Sequence, residues 1–305
     1  MLILLVLACT AASDADTADT TADACWTDLA PGDAAPLATG FADGTEGAAF
    51  ADGRLLVTAL GTGLVEVGAD GTVTTVATLD HALGLAPATG SVLVADPGAF
   101  SLDGSGDDGR LLLVDLAGNA RPLGIGMPNP NFVAAMPWGD VLVSDDTNPL
   151  ISAVRDGAAR PWLTTIDSPN GMGLSPDGRT LYVVSTFVTD PPLWAVPLDA
   201  DGTPGTPVVV TTFATGDTPD GLAVSADGTV WVALNLANEL VRVDPETGAT
   251  ETFTTDVATP ASLAFGTGDD FDPCSLYVTE LYGESVWRVA TGTPGLALET
   301  PTFAP

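Results

Sequence analysis

Short apolar runs recur along this chain, each four to seven residues long and separated by turn residues, and almost none shows a helical period. The clearest internal match pairs Pro169-Asn170-Gly171-Met172-Gly173-Leu174-Ser175-Pro176-Asp177-Gly178 with Pro219-Asp220-Gly221-Leu222-Ala223-Val224-Ser225-Ala226-Asp227-Gly228. Each copy runs on into a Val/Leu/Tyr/Trp-rich strand, at 181–184 and 230–233. Looser copies begin at Glu46, His81, Asn131 and Ala261. Each unit starts with a strand of small apolar residues and turns at Asp-Gly or an equivalent, which tolerates the positive φ of a tight hairpin. A β-rich second strand, a third strand (such as 64–67 or 240–243) and a polar fourth (72–78, 250–254) complete it. Four-stranded units repeating every 40–50 residues or so predict an all-β, six-bladed β-propeller with four antiparallel strands per blade. A seven-bladed ring with one degenerate blade is the alternative. Residues 34–42 are placed to add a strand to the blade built from the C-terminus, closing the ring.

The repeat also predicts where chemistry sits. The innermost strands of a propeller surround its channel and begin at one end of it, so the six first positions should form a ring at one mouth. In the register read from sequence these are Glu46, His81, Asn131, Asn170, Asp220 and Ala261, five of them polar. Two carboxylates and an amide oxygen, from Glu46, Asp220 and Asn170, are hard donors suited to Ca²⁺, Mg²⁺ or Mn²⁺. Two carboxylates facing across a channel repel unless a cation or proton lies between them. A channel filled with water is the bland alternative. The second strands return to the same mouth, so their ends (Asp96, Asp145, Ser185, Asn235 and Glu280) are candidate pocket walls.

Composition narrows the partners. All 8 basic residues are Arg, against 40 acidic residues, for a formal net charge of −32. Such a chain cannot neutralise nucleic-acid phosphates or grip anionic lipid with basic side chains. Hydrophobic residues form 46% of the sequence, enough to fold most of it. The N-terminus reads as processing and tether. Residues 1–8 form a lipoprotein-type signal peptide, and Leu5-Val6-Leu7-Ala8-Cys9 resembles a lipobox that makes Cys9 the lipidated terminus. Residues 9–33 then carry the lipid and a flexible tether rich in Asp, Ala and Thr, ahead of a propeller over 34–305. The expected location is therefore extracytoplasmic, with the membrane reached only through the lipid anchor. In an oxidising compartment the remaining pair, Cys25 and Cys274, invites a disulfide, with two free thiols as the other state.

Glu46-Gly47 before a strand, Pro169-Asn170-Gly171 with Ser175-Pro176-Asp177-Gly178, and Pro219-Asp220-Gly221-Leu222 together resemble the gluconolactonase / regucalcin (senescence marker protein) / luciferin-regenerating enzyme family. The resemblance spans about residues 44–290. It implies a six-bladed propeller with one divalent metal in the channel, calcium first and manganese, magnesium or zinc as alternatives. It places the ligands on Glu46, Asn170 and Asp220, and it makes Asn131 a substrate-orienting residue. The chain departs from the family at Phe132-Val133, where Asp-Gly is usual, and at Asn129-Pro130, where an Arg often precedes; these departures count against sugar-acid lactone specificity.

The function expected from these residues is metal-dependent hydrolysis of a small neutral substrate such as a lactone or ester. Asp220 is then the catalytic base, and Asn131, His81, Asp145 and Asn235 are substrate-binding candidates. A non-catalytic, surface-anchored propeller that binds a ligand or protein partner is the alternative, and a different propeller enzyme is a third reading. There is no Gly-x-Ser-x-Gly for a nucleophile elbow, and one His cannot form a His dyad.

Overall fold

A computed structural model describes residues 25–99 and 104–303. The expected signal peptide, Cys9 and most of the tether lie outside the described residues. Those described form six four-stranded antiparallel sheets arranged as the blades of a propeller, with no helix among them. The innermost strands are Thr45–Ala51, Leu85–Ala88, Pro130–Ala135, Pro169–Leu174, Pro219–Val224 and Pro260–Phe265, in blades 1 to 6.

Burial follows position in the blade. Second strands such as Ser91–Asp96, Val230–Leu234 and Ser275–Glu280 are buried at every residue, because neighbouring blades cover both faces. Such strands read as continuous apolar runs rather than alternating ones. Outer strands are thin and polar: Val73–Thr78 exposes four of its six residues. Six apolar clusters result, each between adjacent blades; Leu55, Val57 and Phe50 of blade 1, for instance, pack on Phe271, Tyr277 and Val286 of blade 6. Each such Leu, Val or Phe stabilises the fold by roughly 1.5–3 kcal/mol relative to exposure.

The ring closes as expected. Ala34–Thr39 becomes the outer strand of blade 6, pairing with Ser285–Ala290. A Cys25–Cys274 disulfide staples the same seam. Arg288 ties it electrostatically, donating to Asp28 at 2.7 and 2.9 Å and to Asp272 at 2.9 Å, while its guanidinium lies 4.9 Å from the centre of the Trp26 ring. After blade 6 the chain crosses the far ends of the inner strands. Leu296 N–H donates to Val224 C=O and Thr89 N–H to Pro301 C=O.

Inner strands converge so closely that backbone meets backbone. A Cβ on Gly47, Gly84, Gly171 or Gly221 would stand 2.3–2.5 Å from the carbonyl oxygen of Leu83, Asn131, Asp220 or Ala261 in the next blade. This is why Gly follows the ring residue in Glu46-Gly47, Asn170-Gly171 and Asp220-Gly221. The same contacts fix the register, and they correct one assignment. The residue of blade 2 equivalent to Glu46 is Leu83, not His81, which lies two positions earlier in the connecting loop. The ring is Glu46, Leu83, Asn131, Asn170, Asp220 and Ala261.

Candidate functional site

Ring position 46, 131, 170 or 220 is the second residue of its inner strand, and each of these strands carries a bulge directly after it. In blades 4 and 5 the approach is strained as well. Ser168 and Thr218, just before the prolines, adopt φ of 51° and 49°, a left-handed conformation costly for side chains other than Gly. The hydroxyl of Ser168 donates to the Asp146 carbonyl at 2.6 Å and that of Thr218 to the Asp217 carbonyl at 2.8 Å. Backbone geometry thereby sets the approach of Asn170 and Asp220, and a hydrogen bond from the Asn170 amide to Asp220 links the two side chains.

Glu46, Asn131, Asn170 and Asp220 line one cavity of about 310 Å³, together with His81, Asp146, Thr186 and Asn235. Asp146 is the residue the sequence reading passed over. Its neighbour Asp145 ends the second strand of blade 3 and is absorbed by its own loop. Asp145 accepts from the N–H groups of Asn129, Thr147 and Asn148 at 2.9–3.1 Å and from the Asn148 amide at 3.0 Å. Asp145 is therefore corrected from a pocket wall to a loop anchor. The same one-residue slip recurs around the ring. Asp96 caps Gly98 and pairs with Arg110, Ser185 bonds the Asp167 carbonyl, and Glu280 accepts from the N–H groups of Ala258 and Ser285. In these four blades the residues that face the cavity come one later, Pro97, Asp146, Thr186 and Leu281, whereas in blade 5 Asn235 itself lines it. In a strand, one step turns a side chain to the other face.

The floor of the cavity is a set of buried oxygens. Glu46, Asp146 and Asn170 are 6%, 5% and 2% exposed, and Glu46 Oε2, Asp146 Oδ1 and Asn170 Oδ1 have no hydrogen-bond partner. Asn170 is oriented by donating Nδ2 to the Thr186 hydroxyl at 3.1 Å, and that hydroxyl donates onward to the Pro219 carbonyl at 2.6 Å. Asn131 donates Nδ2 to Asp146 Oδ2 at 3.2 Å, leaving Oδ1 bare. No Arg lines the cavity.

Electrostatics there favours protons over charge. Burial, and then the charge of Asp146, pushes the Glu46 carboxyl up to about 8. Burial, and then Asp145, pushes Asp146 up to about 7 against the opposing Asn131 amide. Burial, then Glu46 and Asp146, raises Asp220 well above the carboxylate range despite a hydrogen bond from Asn170. Three carboxyl groups at one buried floor cannot all ionise without a counter-charge.

Unpartnered buried oxygens and missing positive charge are what a hard cation would satisfy, and the donors fit one. The set mixes carboxylates with an amide; among the described residues no three His, Cys, Asp or Glu side chains form a metal-holding group by themselves. His81, exposed at the rim, adds no nitrogen to this floor.

Fold and floor together define a six-bladed propeller whose channel carries an oxygen-lined site at one mouth. Residues 127–281 match the model of the SMP-30/gluconolactonase/LRE-like region, and the chain belongs to that family. It is 27% identical over 221 residues to a 6-deoxy-6-sulfogluconolactonase of Pseudomonas putida, covering 69% of this chain and 72% of that one. Among solved structures it resembles a candidate gluconolactonase (TM-score 0.73, 21% identity, 90% of this chain and 96% of that one). It also resembles regucalcin, a calcium-binding protein, from Agrobacterium tumefaciens (TM-score 0.66, 22% identity, 89% and 95%).

Proposed function

We propose that the protein hydrolyses a lactone or small ester with the help of one divalent cation in the channel. The observation that carries this reading is the trio of buried, unpartnered oxygens on Glu46, Asp146 and Asn170 beneath an open cavity. Glu46, Asn170 and Asp220 would hold the cation, with Asp146 as a further oxygen beside them. Calcium is favoured by the all-oxygen donors, with manganese and magnesium next. When bound, the cation would supply Lewis-acid stabilisation of charge developing on the substrate carbonyl oxygen.

The chain's own residues do the rest. Asp220, at the floor of the same cavity, takes the proton from the attacking water. The water oxygen adds to the carbonyl carbon, the ester C–O bond breaks, and the proton passes to the departing alkoxide to leave a hydroxy acid. Asn131 is fixed by Asp146 and orients substrate from the neighbouring blade. A neutral substrate is compatible with a body of net charge −32, which repels anions and so also favours release of the carboxylate product.

Family membership and the lactonase relative support hydrolysis of a lactone. The sulfonate of that relative's substrate has no counterpart here, since no cationic Arg faces the cavity. We also propose an extracytoplasmic location with a lipid on Cys9; the Cys25–Cys274 bridge supports an oxidising compartment.

The test is acid release from a lactone panel by chelator-treated protein, with cations added back, beside Asp220→Ala. Cation-restored turnover that falls by about 10²–10⁴ in Asp220→Ala is the expected result. A folded, cation-loaded protein that turns over no lactone or ester contradicts the reading and leaves a ligand-binding propeller.

A further inference from the structure

The wall of the cavity differs from its floor. Three large apolar side chains stand exposed at its rim: Phe187 (63%), Leu236 (55%) and Tyr282 (74%). They occupy one register position, two residues past the second strands Thr180–Ser185, Val230–Leu234 and Ser275–Glu280 of blades 4, 5 and 6. The same position in blades 1, 2 and 3 holds Gly61, Gly98 and Thr147. The apolar residues therefore form an arc along one half of the mouth. Leu83, Pro97 and Leu281 extend the apolar lining inward. Exposing three such side chains costs hydration free energy, and clustering them at a cavity marks a binding surface.

The polar side chains on the wall offer few donors to a hydroxylated ligand. Both amide hydrogens of Asn235 are used, on the carbonyls of Thr259 and Pro260 at 3.1 Å. The Thr186 hydroxyl donates to Pro219 C=O and already accepts from Asn170. That of Thr218 donates to Asp217 C=O and accepts from Leu236 N–H. The Asn131 amide gives one of its two hydrogens to Asp146, and the donors left open are the other, the rim imidazole of His81 and the Tyr282 hydroxyl. A polyhydroxylated ring brought here would surrender its water to a wall where most donors are already committed, which is costly. A hydrocarbon tail would lose only water that covers Phe187, Leu236 and Tyr282.

We propose that the substrate is a neutral lactone or ester bearing an apolar tail, with its carbonyl at the oxygen floor and its tail along the arc of Phe187, Leu236 and Tyr282. This rests on the hydrolase reading above and names the substrate class for that site. One molecule can satisfy both halves because floor and arc line the same cavity.

The experiment compares γ-lactones of increasing alkyl chain length with D-glucono-δ-lactone, using cation-loaded protein. kcat/KM should rise about fourfold for each methylene that the arc covers and exceed that for the glucono-lactone. The double variant Leu236→Ser with Tyr282→Ser should flatten this slope. Both sites are exposed, so the fold tolerates the change. Calorimetric binding of the matching γ-alkyl lactams, which resist hydrolysis, gives a readout independent of turnover. Turnover without chain-length dependence, or with preference for the glucono-lactone, overturns this inference and leaves the hydrolase reading standing. Chain-dependent lactam binding without any turnover does the reverse. Lactam binding that is absent or indifferent to chain length overturns the apolar subsite.

Discussion

Two groups of acidic residues in this propeller have opposite fates. At the closure seam, Asp272 sits against Arg288, Ser275 and the N–H groups of Trp26 and Cys274. Burial opposes its ionisation, but these hydrogen bonds outweigh burial and hold its carboxyl below the usual range. Asp28, across the same guanidinium, is lowered chiefly by its hydrogen bond to Arg288. In the channel, Glu46, Asp146 and Asp220 are buried with no cationic side chain, and all three are raised. Residue type is the same in both places; the counter-charge differs. The seam carries its own cation and is finished as folded, whereas the channel holds three acids with no cationic side chain beside them, the gap that the proposed cation would fill.

Substitutions should separate the two groups by the sign of their effect. The largest change is expected at the seam. Arg288→Met leaves Asp272 buried and unpaired, and should cost about 3–5 kcal/mol in denaturant unfolding, with cation affinity in the channel retained. The channel should respond in the other direction. Asp146→Asn removes a buried acid that has no partner for Oδ1, so at pH 8.5 without cation the variant should be more stable than wild type, on the order of 1–3 kcal/mol. It should also bind calcium more weakly. A loss of cation-free stability in Asp146→Asn would show that the channel acids are structurally compensated, as at the seam.

The smallest effect is the pH dependence of the cation-free protein. Carboxyl groups raised to about 8 and about 7 keep protons in the folded state that the unfolded chain has released. Stability is then highest near the ordinary carboxylate range and falls as pH climbs toward 8. Thermal unfolding at pH 8.5 should come a few degrees below that at pH 5.5. Saturating calcium should narrow the gap, because cation binding displaces those protons. The Asp272–Arg288 pair contributes the opposite slope only in acid, where a lowered carboxyl finally protonates.

Much of this was legible in the chain because a propeller repeats its register. The Pro-Asn-Gly and Pro-Asp-Gly units announce both blade and ring position: Gly is demanded by the approach of the next inner strand, which leaves the residue before it free to carry function. Blade 2 hid its ring position, since Leu83-Gly84 keeps the Gly but substitutes an apolar residue, and the polar His81 nearby drew the assignment two places early. Asp146 was hidden by a bulge. The inner strands of blades 3 and 4 each gain a residue against their partners, which shifts the facing position from Asp145 to Asp146 and from Ser185 to Thr186. The apolar arc gave no local signal at all. Single Phe, Leu and Tyr residues in three separate loops become a surface only when the ring brings the loops together. The closing strand was readable from the missing fourth strand of the last blade, but the Arg288 cluster was not, because Asp28, Asp272 and Arg288 are far apart in sequence.

The most direct test is calorimetric titration of calcium into chelator-treated protein, alongside Asp220→Asn. The account predicts one site per chain, proton release on binding above pH 7, and loss of binding in the variant without loss of fold. A folded protein that takes up no divalent cation, or binds it equally well without the Asp220 carboxylate, would contradict it.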